Sequence, residues 1–314
     1  MAQSLLVVGS IAFDSVRTPH DEVADVLGGS AVYFSVAASL FAPVRLVGVV
    51  GEDFPDGHRQ VLQDRRIHID GLQVVEGGKT FRWCGTYLGN MNERITDDVQ
   101  LNVFGDFRPV IPRDWRRSDL VFLANGSPVT QMSVLDQVES PALTVADTMD
   151  LWIETARDEL LVLLQHIDGL VLNDEEAAML SGETDLAKAE DRILAMGPKF
   201  IVIKMGSEGA RIAGRAPGPP HARGQEVIKA VLPAYCEGAV RDPTGAGDSF
   251  AGGMMGYLAG LDRPITVEDL PAALKVGTVM ASFTIEDFSV RRLQDLARGE
   301  FDARLAAYDE SVSG

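Results

Sequence analysis

Short apolar runs rich in β-branched residues recur along the chain, and most are separated by a segment long enough for one helix. Each run has the length and composition of a buried strand. The runs are Leu5 to Val8, Val44 to Val50, Leu120 to Leu123, Leu143 to Val145, Gly169 to Leu172 and Phe200 to Ile203. Helical periodicity lies between them, for example over residues 31–41 and 151–165. The alternation predicts an α/β fold with a Rossmann-like, doubly wound, mostly parallel sheet.

Two regions interrupt the alternation. Residues 80–88 and 100–104 alternate like strands without a helix between them, which predicts a small β lid. We expect the lid strands to come from about residues 13–28 and 71–104. Residues 214–225 are rich in proline and glycine and predict an exposed loop between two strands. No repeat or linker is evident, so residues 1–314 are expected to form one domain.

The composition limits the possible ligands. Hydrophobic residues make up 46% of the chain, enough for a full core, and the formal net charge is −18. Such a charge disfavours nucleic acid and anionic membranes as partners and favours a small-molecule substrate. An anionic ligand would need backbone dipoles, a metal ion or a few well-placed cations to bind.

Cysteine usage and hydropathy indicate a cytoplasmic protein. Cys84 and Cys236 lack the C-x-x-C spacing of a zinc or redox site, so both are expected to be free thiols. The N-terminus lacks the basic start of a signal peptide, and the longest apolar stretch, residues 249–261, is shorter than the roughly 18 residues that cross a membrane. The five histidines are scattered, which gives no support for a metal or Ser/His/Asp site.

The most informative segment is the run Asp242-Pro-Thr-Gly-Ala-Gly-Asp248. Gly245 and Gly247 permit a tight turn whose N–H groups point into one concavity, and helical spacing follows. Such a helix start binds anions, although the lysine of a Walker A loop is missing. A carboxylate there suits a base that accepts the proton of an attacking hydroxyl. The alternative is that Asp248 only caps the helix.

This run resembles the C-terminal signature of the PfkB family of carbohydrate kinases, the ribokinase-like family, and the resemblance extends over nearly the whole chain. It implies a ribokinase-like kinase that uses ATP and Mg²⁺ to phosphorylate a hydroxyl of a sugar, sugar derivative or nucleoside. The resemblance makes Asp248 the catalytic base, and the backbone of Gly245, Ala246 and Gly247 the anion hole.

The same resemblance suggests a monovalent cation, such as K⁺. Members of the family often bind one through the positions of Asp242 and Thr244. Dimers formed through the lid are also frequent among relatives, so a homodimer is a further expectation.

Two more segments follow predicted strands. Asn173 and Glu176 have the spacing of a capping box, which alone explains them, but they also resemble the family's N-x-x-E motif, which orients Mg²⁺ and the nucleotide phosphates through water. Lys204, Gly206 and Gly209 lie in a turn that is ordinary in itself and that lines the nucleotide in ribokinase-like enzymes.

The N-terminal third carries the expected acceptor site. Gly28 and Gly29 form either a simple loop or, as the resemblance implies, a close approach to a sugar hydroxyl. Asp14 is either a solvated turn acid or the aspartate that binds substrate hydroxyls in relatives. Tyr33 stands where many members have asparagine, so its ring would stack on the substrate or fill part of the pocket. Further pocket candidates are Arg82, Trp83, Asn125 and Asp147.

Two other functions compete with the kinase. A dinucleotide-dependent oxidoreductase is disfavoured because no G-x-G-x-x-G follows the first strand. A non-catalytic sensor of the same fold is disfavoured by the intact glycine turn and Asp248. The sequence does not reveal the acceptor, because Tyr33 departs from the pattern of ribokinase itself.

Overall fold

The computed structural model describes residues 3–89, 91–215 and 227–313, and a nine-stranded sheet dominates them. The strands are β1 Leu5–Val8, β2 Ala12–Arg17, β3 Glu22–Gly28, β4 Val44–Gly51, β5 His68–Val75, β6 Phe81–Tyr87, β7 Arg94–Gln100, β8 Leu120–Leu123, β9 Leu143–Asp147, β10 Gly169–Asn173, β11 Phe200–Lys204, β12 Ala210–Arg215 and β13 Val227–Leu232. The main sheet has the order β13-β12-β11-β10-β9-β8-β1-β4-β5.

Helices flank this sheet. They are α1 Ser30–Ala38, α2 Asp56–Asp64, α3 Pro128–Leu135, α4 Asp150–Thr155, α5 Arg157–Leu164, α6 Asp174–Ser181, α7 Leu186–Ala195, α8 Ala246–Gly260, α9 Leu270–Thr284, α10 Arg291–Gln294 and α11 Arg298–Ser313. Two separate clusters of buried apolar side chains form the core, one including residues of α1, α8 and α9 and the other including residues of α5, α6 and α7.

The main sheet confirms the predicted α/β fold. All six predicted strands belong to it, and every pair from β11 to β5 is parallel. Only β12 and β13 run antiparallel to their neighbours. The loop predicted at 214–225 begins too early, because residues 214 and 215 belong to β12. Its remaining residues, 216–225, lie outside the described residues. Because the parallel strands share a direction, their carboxyl ends meet at one edge of the sheet.

A second sheet, with the order β3-β2-β6-β7, forms the lid. Its outer pairs are antiparallel, whereas β2 and β6 are parallel. The predicted range 71–104 is too wide at its start, because residues up to Val75 belong to β5 of the main sheet. The predicted strand at 100–104 is wrong: the strand ends at Gln100, and Asn102–Phe104 form a 3₁₀ turn.

The structure also bears on one predicted helix, on the two cysteines and on membrane-spanning segments. The single helix predicted over 151–165 is two helices, because Ala156 has non-helical backbone angles (φ −140°, ψ 39°). Cys84 and Cys236 are free thiols, as predicted. Among the described residues, no helix combines the length and the apolar character needed to cross a bilayer.

Candidate active site

Polar side chains collect where three neighbouring parallel strands end. Asp147 ends β9, Asn173 ends β10 and Lys204 ends β11. The pairing register places Asn173 beside Lys204, and Asp147 beside Val171, two residues before Asn173. The structure thus brings together three residues that the sequence had only placed one by one.

Asp147 and Lys204 form an ion pair inside this group. The Lys204 Nζ lies 3.7 Å from Asp147 Oδ1, and the Asp147 side chain is buried. Burial lowers the pKa of Lys204, but the carboxyl groups of Asp147, Glu176 and Asp248 more than offset this, so its pKa is raised overall. Lys204 is therefore a fixed positive charge at the edge of the sheet.

The glycine turn leads directly into α8. Gly245 caps the helix with a left-handed backbone (φ 74°), which favours glycine. Among the described residues, the N–H groups of Gly245 and Gly247 have no acceptor, whereas Ala246 N donates to Pro243 O at 3.2 Å. Two of the three predicted anion-hole donors are thus unpaired, and the third is engaged within the turn.

Asp248 stands in the first turn of α8 and is partly exposed. Burial and then the negative charge of Asp147 raise its pKa to about 7, against the lowering effect of Lys204 and Arg94. A Cβ atom added to Gly247 would lie 3.0 Å from Lys204 Nζ, so the lysine reaches the turn itself. A carboxylate, a cation and unpaired N–H groups therefore share one small region.

Helix α8 is held in place by close packing on α1. A Cβ atom at Gly252 would lie 2.3 Å from the Phe34 carbonyl oxygen, and one at Gly256 would lie 2.8 Å from Ala38 Cα. Glycine at these positions lets the two backbones touch. Because α1 begins just after Gly29, this packing links the glycine turn to the expected acceptor site at Gly28 and Gly29.

Asn173 and Glu176 form the predicted capping box of α6. Glu176 N donates to Asn173 Oδ1 and Asn173 N donates to Glu176 Oε2, both at 2.7 Å. Burial raises the pKa of Glu176 to about 7, with Lys204 acting against this and Asp147 reinforcing it. The cap uses one carboxylate oxygen of Glu176, so the other stays available for a ligand.

The turn after Lys204 has two glycines with positive φ. Gly206 has φ 55° and Gly209 has φ 108°, and a Cβ atom at Gly209 would lie 2.0 Å from the Leu232 carbonyl oxygen. At Gly209 the glycine is thus required by close backbone packing against the end of β13. The lid reaches this turn, since Asn92 Nδ2 lies 3.5 Å from Ser207 Oγ.

The structure also brings together Asp14, Gly28 and Gly29, on the other side of the glycine turn. A Cβ atom at Gly28 would lie 2.0 Å from Asp14 Oδ2, and Gly29 has φ 96°. Asp14 is buried, and burial, followed by the charge of Asp242, raises its pKa to about 7. A buried carboxyl group does not fit the alternative of a solvated turn acid.

Tyr33 fills space under the glycine turn. Its side chain is only 1% exposed, and a Cβ atom at Gly245 would lie 2.3 Å from its ring. Burial, followed by the charge of Asp14, raises the pKa of Tyr33 well above its usual range, so the hydroxyl stays neutral. Of the two alternatives for Tyr33, filling the pocket fits this burial and stacking on a substrate does not.

Two other pocket candidates have partners of their own. Arg82 pairs with Asp25 and Asp53, and its guanidinium lies 4.5 Å from the Phe13 ring centroid, on the face of β2 opposite Asp14. Asn125 donates to Met149 Sδ and accepts from Trp152 Nε1, both at 3.0 Å. The structure does not bring Arg82 into the cluster around Asp248.

Two lid residues near the turn were missed by the sequence analysis. The Thr244 hydroxyl donates to the Tyr87 hydroxyl at 3.2 Å, and Arg94 is the cross-strand partner of Tyr87. Neither belongs to a motif. In the sequence, only the two-residue alternation along β6 indicates that Tyr87 shares a face with Trp83. Nothing local indicates the position of Arg94.

Asp242 is fully buried at the start of the turn. Its Oδ1 accepts a hydrogen bond from Thr244 N at 2.8 Å, while its Oδ2 has no hydrogen-bond partner in the described part of the chain. Burial raises its pKa to about 6, although the bonds from Thr244 act against this. A buried carboxylate oxygen without a partner is costly unless a positive charge or a proton compensates it.

Comparison with known proteins identifies relatives over most of the chain. The family model described as pfkB family carbohydrate kinase matches residues 2–295. A cytidine kinase of Thermococcus kodakarensis is 27% identical over 270 residues, covering 84% of this chain and 91% of the relative. A 2-dehydro-3-deoxygluconokinase of Thermoproteus tenax is 32% identical over 274 residues, covering 80% and 79%. A solved E. coli structure, assigned as a ribokinase II with ATP and Mg²⁺, matches with a TM-score of 0.74 at 17% identity, covering 97% and 99%.

Proposed function

The chain belongs to the PfkB family of carbohydrate kinases, and on this premise we propose that it transfers the γ-phosphate of ATP to a hydroxyl of a neutral sugar or nucleoside, with Asp248 as the base. One observation carries the proposal: a partly exposed carboxylate in the first turn of α8, behind unpaired N–H groups and close to Lys204. Base, anion-binding donors and cation are the parts that phosphoryl transfer requires.

In the proposed reaction, the hydroxyl oxygen of the acceptor forms a bond to the γ-phosphorus. Asp248 accepts the proton that this hydroxyl loses. The bond from the γ-phosphorus to the bridging oxygen breaks, and ADP leaves with the electron pair. The N–H groups of Gly245 and Gly247, together with the positive end of α8, stabilise the negative charge on the transferred group. Asp14 binds other hydroxyls of the acceptor and orients it.

The site also suits ATP and Mg²⁺. The free oxygen of the buried Glu176 carboxyl group, beside Asn173, fits Mg²⁺ held mainly through water, which needs only one or two carboxylates. When bound, the metal ion neutralises phosphate charge during transfer. The turn at Gly206 and Gly209 supplies a surface for the nucleotide at the end of β11.

A monovalent cation fits beside Asp242. The unpartnered Oδ2 of this fully buried side chain needs a positive charge, and the turn that it anchors through Thr244 holds the proposed anion hole. We infer that K⁺ at Asp242 and Thr244 stiffens the turn and raises turnover.

Asp242→Asn is expected to weaken activation by K⁺, because an amide is a neutral and poorer ligand. The K⁺ concentration for half-maximal activity should rise at least about 10-fold. Initial rates would be measured in K⁺ against tetramethylammonium. Asp287→Asn, which removes a neighbouring carboxylate paired with Arg241, serves as the control. Equal K⁺ dependence in Asp242→Asn and wild type would contradict the cation site.

The charge of the site favours a neutral acceptor. Burial raises the pKa of Asp14, and the charges of Asp242 and Asp248 raise it further, so these acids already repel one another. Arg82 is neutralised by Asp25 and Asp53 and does not offer its charge to a ligand. An acceptor with its own carboxylate or phosphate would add to this repulsion.

We expect ribose or cytidine to be phosphorylated with a kcat/KM at least about 10²-fold above that of 2-dehydro-3-deoxygluconate, since like charges cost several kcal/mol. The measurement is ADP release with ATP and Mg²⁺ over a panel of sugars, nucleosides and sugar acids. A preference for the sugar acid would refute the neutral acceptor alone. Tight ATP binding without ADP release on any acceptor would refute the kinase and favour a nucleotide-binding sensor.

A further inference from the structure

Arg94 lies on the inner face of the lid. It begins β7, and its cross-strand partner is Tyr87, so the two side chains share one face of that sheet. On the same face, the Arg94 guanidinium carbon lies 5.3 Å from the centroid of the Trp83 ring. Tyr87 and Trp83 pack against Phe288, which lies between α9 and α10 outside the lid. This face of the lid is therefore turned toward the rest of the protein, which we call the body.

Strand β6 of the lid also contacts the glycine turn. The Tyr87 hydroxyl accepts a hydrogen bond from Thr244 Oγ1 at 3.2 Å, one residue before Gly245. Burial raises the pKa of Tyr87, while the hydrogen bond from Thr244 and the nearby charge of Arg94 act against this. Because Arg94 stands opposite Tyr87 in the β6–β7 pairing, it lies close to the glycine turn.

Charge distinguishes Arg94 from the other arginines of the lid. Arg17 pairs with Glu22 at 3.2 Å, and Arg82 pairs with Asp25 and Asp53. Within the described ranges, Arg94 forms no ion pair, and its side chain is exposed. Burial raises the pKa of Asp248, and Lys204 and Arg94 are the two cations that lower it.

We propose that Arg94 binds the phosphoryl group during transfer, as a catalytic residue supplied by the lid. This inference rests on the proposed kinase function. The guanidinium contacts non-bridging oxygens of the γ-phosphate from the lid side, while Lys204 contacts them from the end of β11. The proton still passes to Asp248 and ADP still carries away the electron pair, so Arg94 only stabilises charge.

Lys204 belongs to the body and Arg94 to the lid, and this division affects how readily ATP is hydrolysed by water. Lys204 is present whenever the protein is folded, whereas Arg94 is in place only when the lid lies against the body. An acceptor that also contacts the lid stabilises this arrangement more than ATP alone does. Transfer to water is disfavoured for this reason.

Arg94→Ala is expected to lower kcat with ribose and cytidine by about 10- to 100-fold, the value of one charge-assisted hydrogen bond. The KM of the acceptor should change by less than about threefold, because Arg94 acts on the phosphoryl group. Arg94→Lys should keep part of the activity, and added guanidinium ion should restore the alanine variant but not the lysine variant. Arg17→Ala, an arginine on the opposite face of the lid, is the matched control and should retain wild-type rates.

A binding measurement keeps the test independent of turnover. By calorimetry with Mg²⁺, wild type should bind a non-hydrolysable ATP analogue more tightly than ADP, and Arg94→Ala should lose about 10-fold of that preference. Wild-type kcat and unchanged preference in Arg94→Ala would overturn the role of Arg94. Equal losses in Arg17→Ala would reduce it to lid stability. An inactive wild type that still shows the preference would refute the kinase but not the phosphate contact.

Discussion

Asp248→Asn is expected to lower kcat by about 10²- to 10⁴-fold, the usual contribution of a positioned general base. Asparagine has the size of aspartate and keeps the helix start intact, but it does not accept a proton. The KM for ATP should stay within about threefold, because in the proposed site the nucleotide is bound by the turn at Gly206 and by the end of β10, and Asp248 does not contact it. Initial rates of ADP release, with ribose and cytidine as acceptors, measure the effect.

The control for Asp248→Asn is Glu175→Gln, which changes an exposed first-turn acid of a different helix, α6. It should leave kcat unchanged. Stability gives a second readout. The pKa of Asp248 rises from 3.8 to about 7 on folding, so its contribution to stability falls as pH rises through that window. Above about pH 7, Asp248→Asn should therefore raise the melting temperature while it removes activity. An inactive and unstable variant would indicate misfolding instead.

Lys204→Met is expected to lower kcat by about 10²- to 10³-fold, because it removes the fixed positive charge that we propose stabilises the transferred group. The methionine keeps the apolar stem of the lysine and loses only the ammonium. Lys199→Met is the matched control, since Lys199 lies just before the other end of β11 and pairs with Asp168 on the surface. ADP release under saturating ATP would be compared for the two variants.

The loss of Lys204 also leaves Asp147 without its partner. Burial raises the pKa of Asp147, and Lys204 acts against that increase, so Lys204→Met alone is expected to be less stable at neutral pH. Asp147→Asn added to Lys204→Met should restore the melting temperature but not the rate. If the double variant recovered wild-type kcat, the lysine would be only a partner for Asp147.

The main sheet could be predicted because its strands are buried on both faces and therefore appear as continuous apolar runs. The residues at the strand ends, Asp147, Asn173 and Lys204, were predictable for the same reason, since each follows such a run. The helix after the glycine turn was also predictable from local spacing. These features depend on residues that are near one another in the chain.

The lid was less predictable, because its contacts depend on register. Both Arg82 and Arg94 are lid arginines, and nothing local indicates which one faces inward. A register shift between Cys84 and Gly85 in the β6–β7 pairing changes which residues stand opposite each other. Because of this shift, Arg94 stands opposite Tyr87. Arg82 lies opposite Phe13 in the β2–β6 pairing, on the other face of the lid. The bond from Thr244 to Tyr87 joins residues 157 positions apart, which no local pattern predicts.

Tyr33 shows how packing decides between two interpretations of one residue. From the sequence, an aromatic ring at a pocket position suits stacking and filling equally well. The ring lies against Gly245, where even a methyl group would clash, so glycine and tyrosine form one packed unit. The conformation of the glycine turn is therefore supported from below by a residue more than 200 positions earlier in the chain.

The role of Asp248 is tested most directly by the pH dependence of kcat/KM in wild type and in Asp248→Asn. The raised pKa of this carboxyl group predicts a wild-type rate that falls about tenfold per pH unit below about 7, because the protonated acid does not act as a base. In the residual activity of Asp248→Asn the contribution of Asp248 is lost, so the acidic limb should be shallower or absent. Asp14 and Glu176, which titrate near the same pH, are unchanged in the variant, so an identical acidic limb in both proteins would contradict Asp248 as the base.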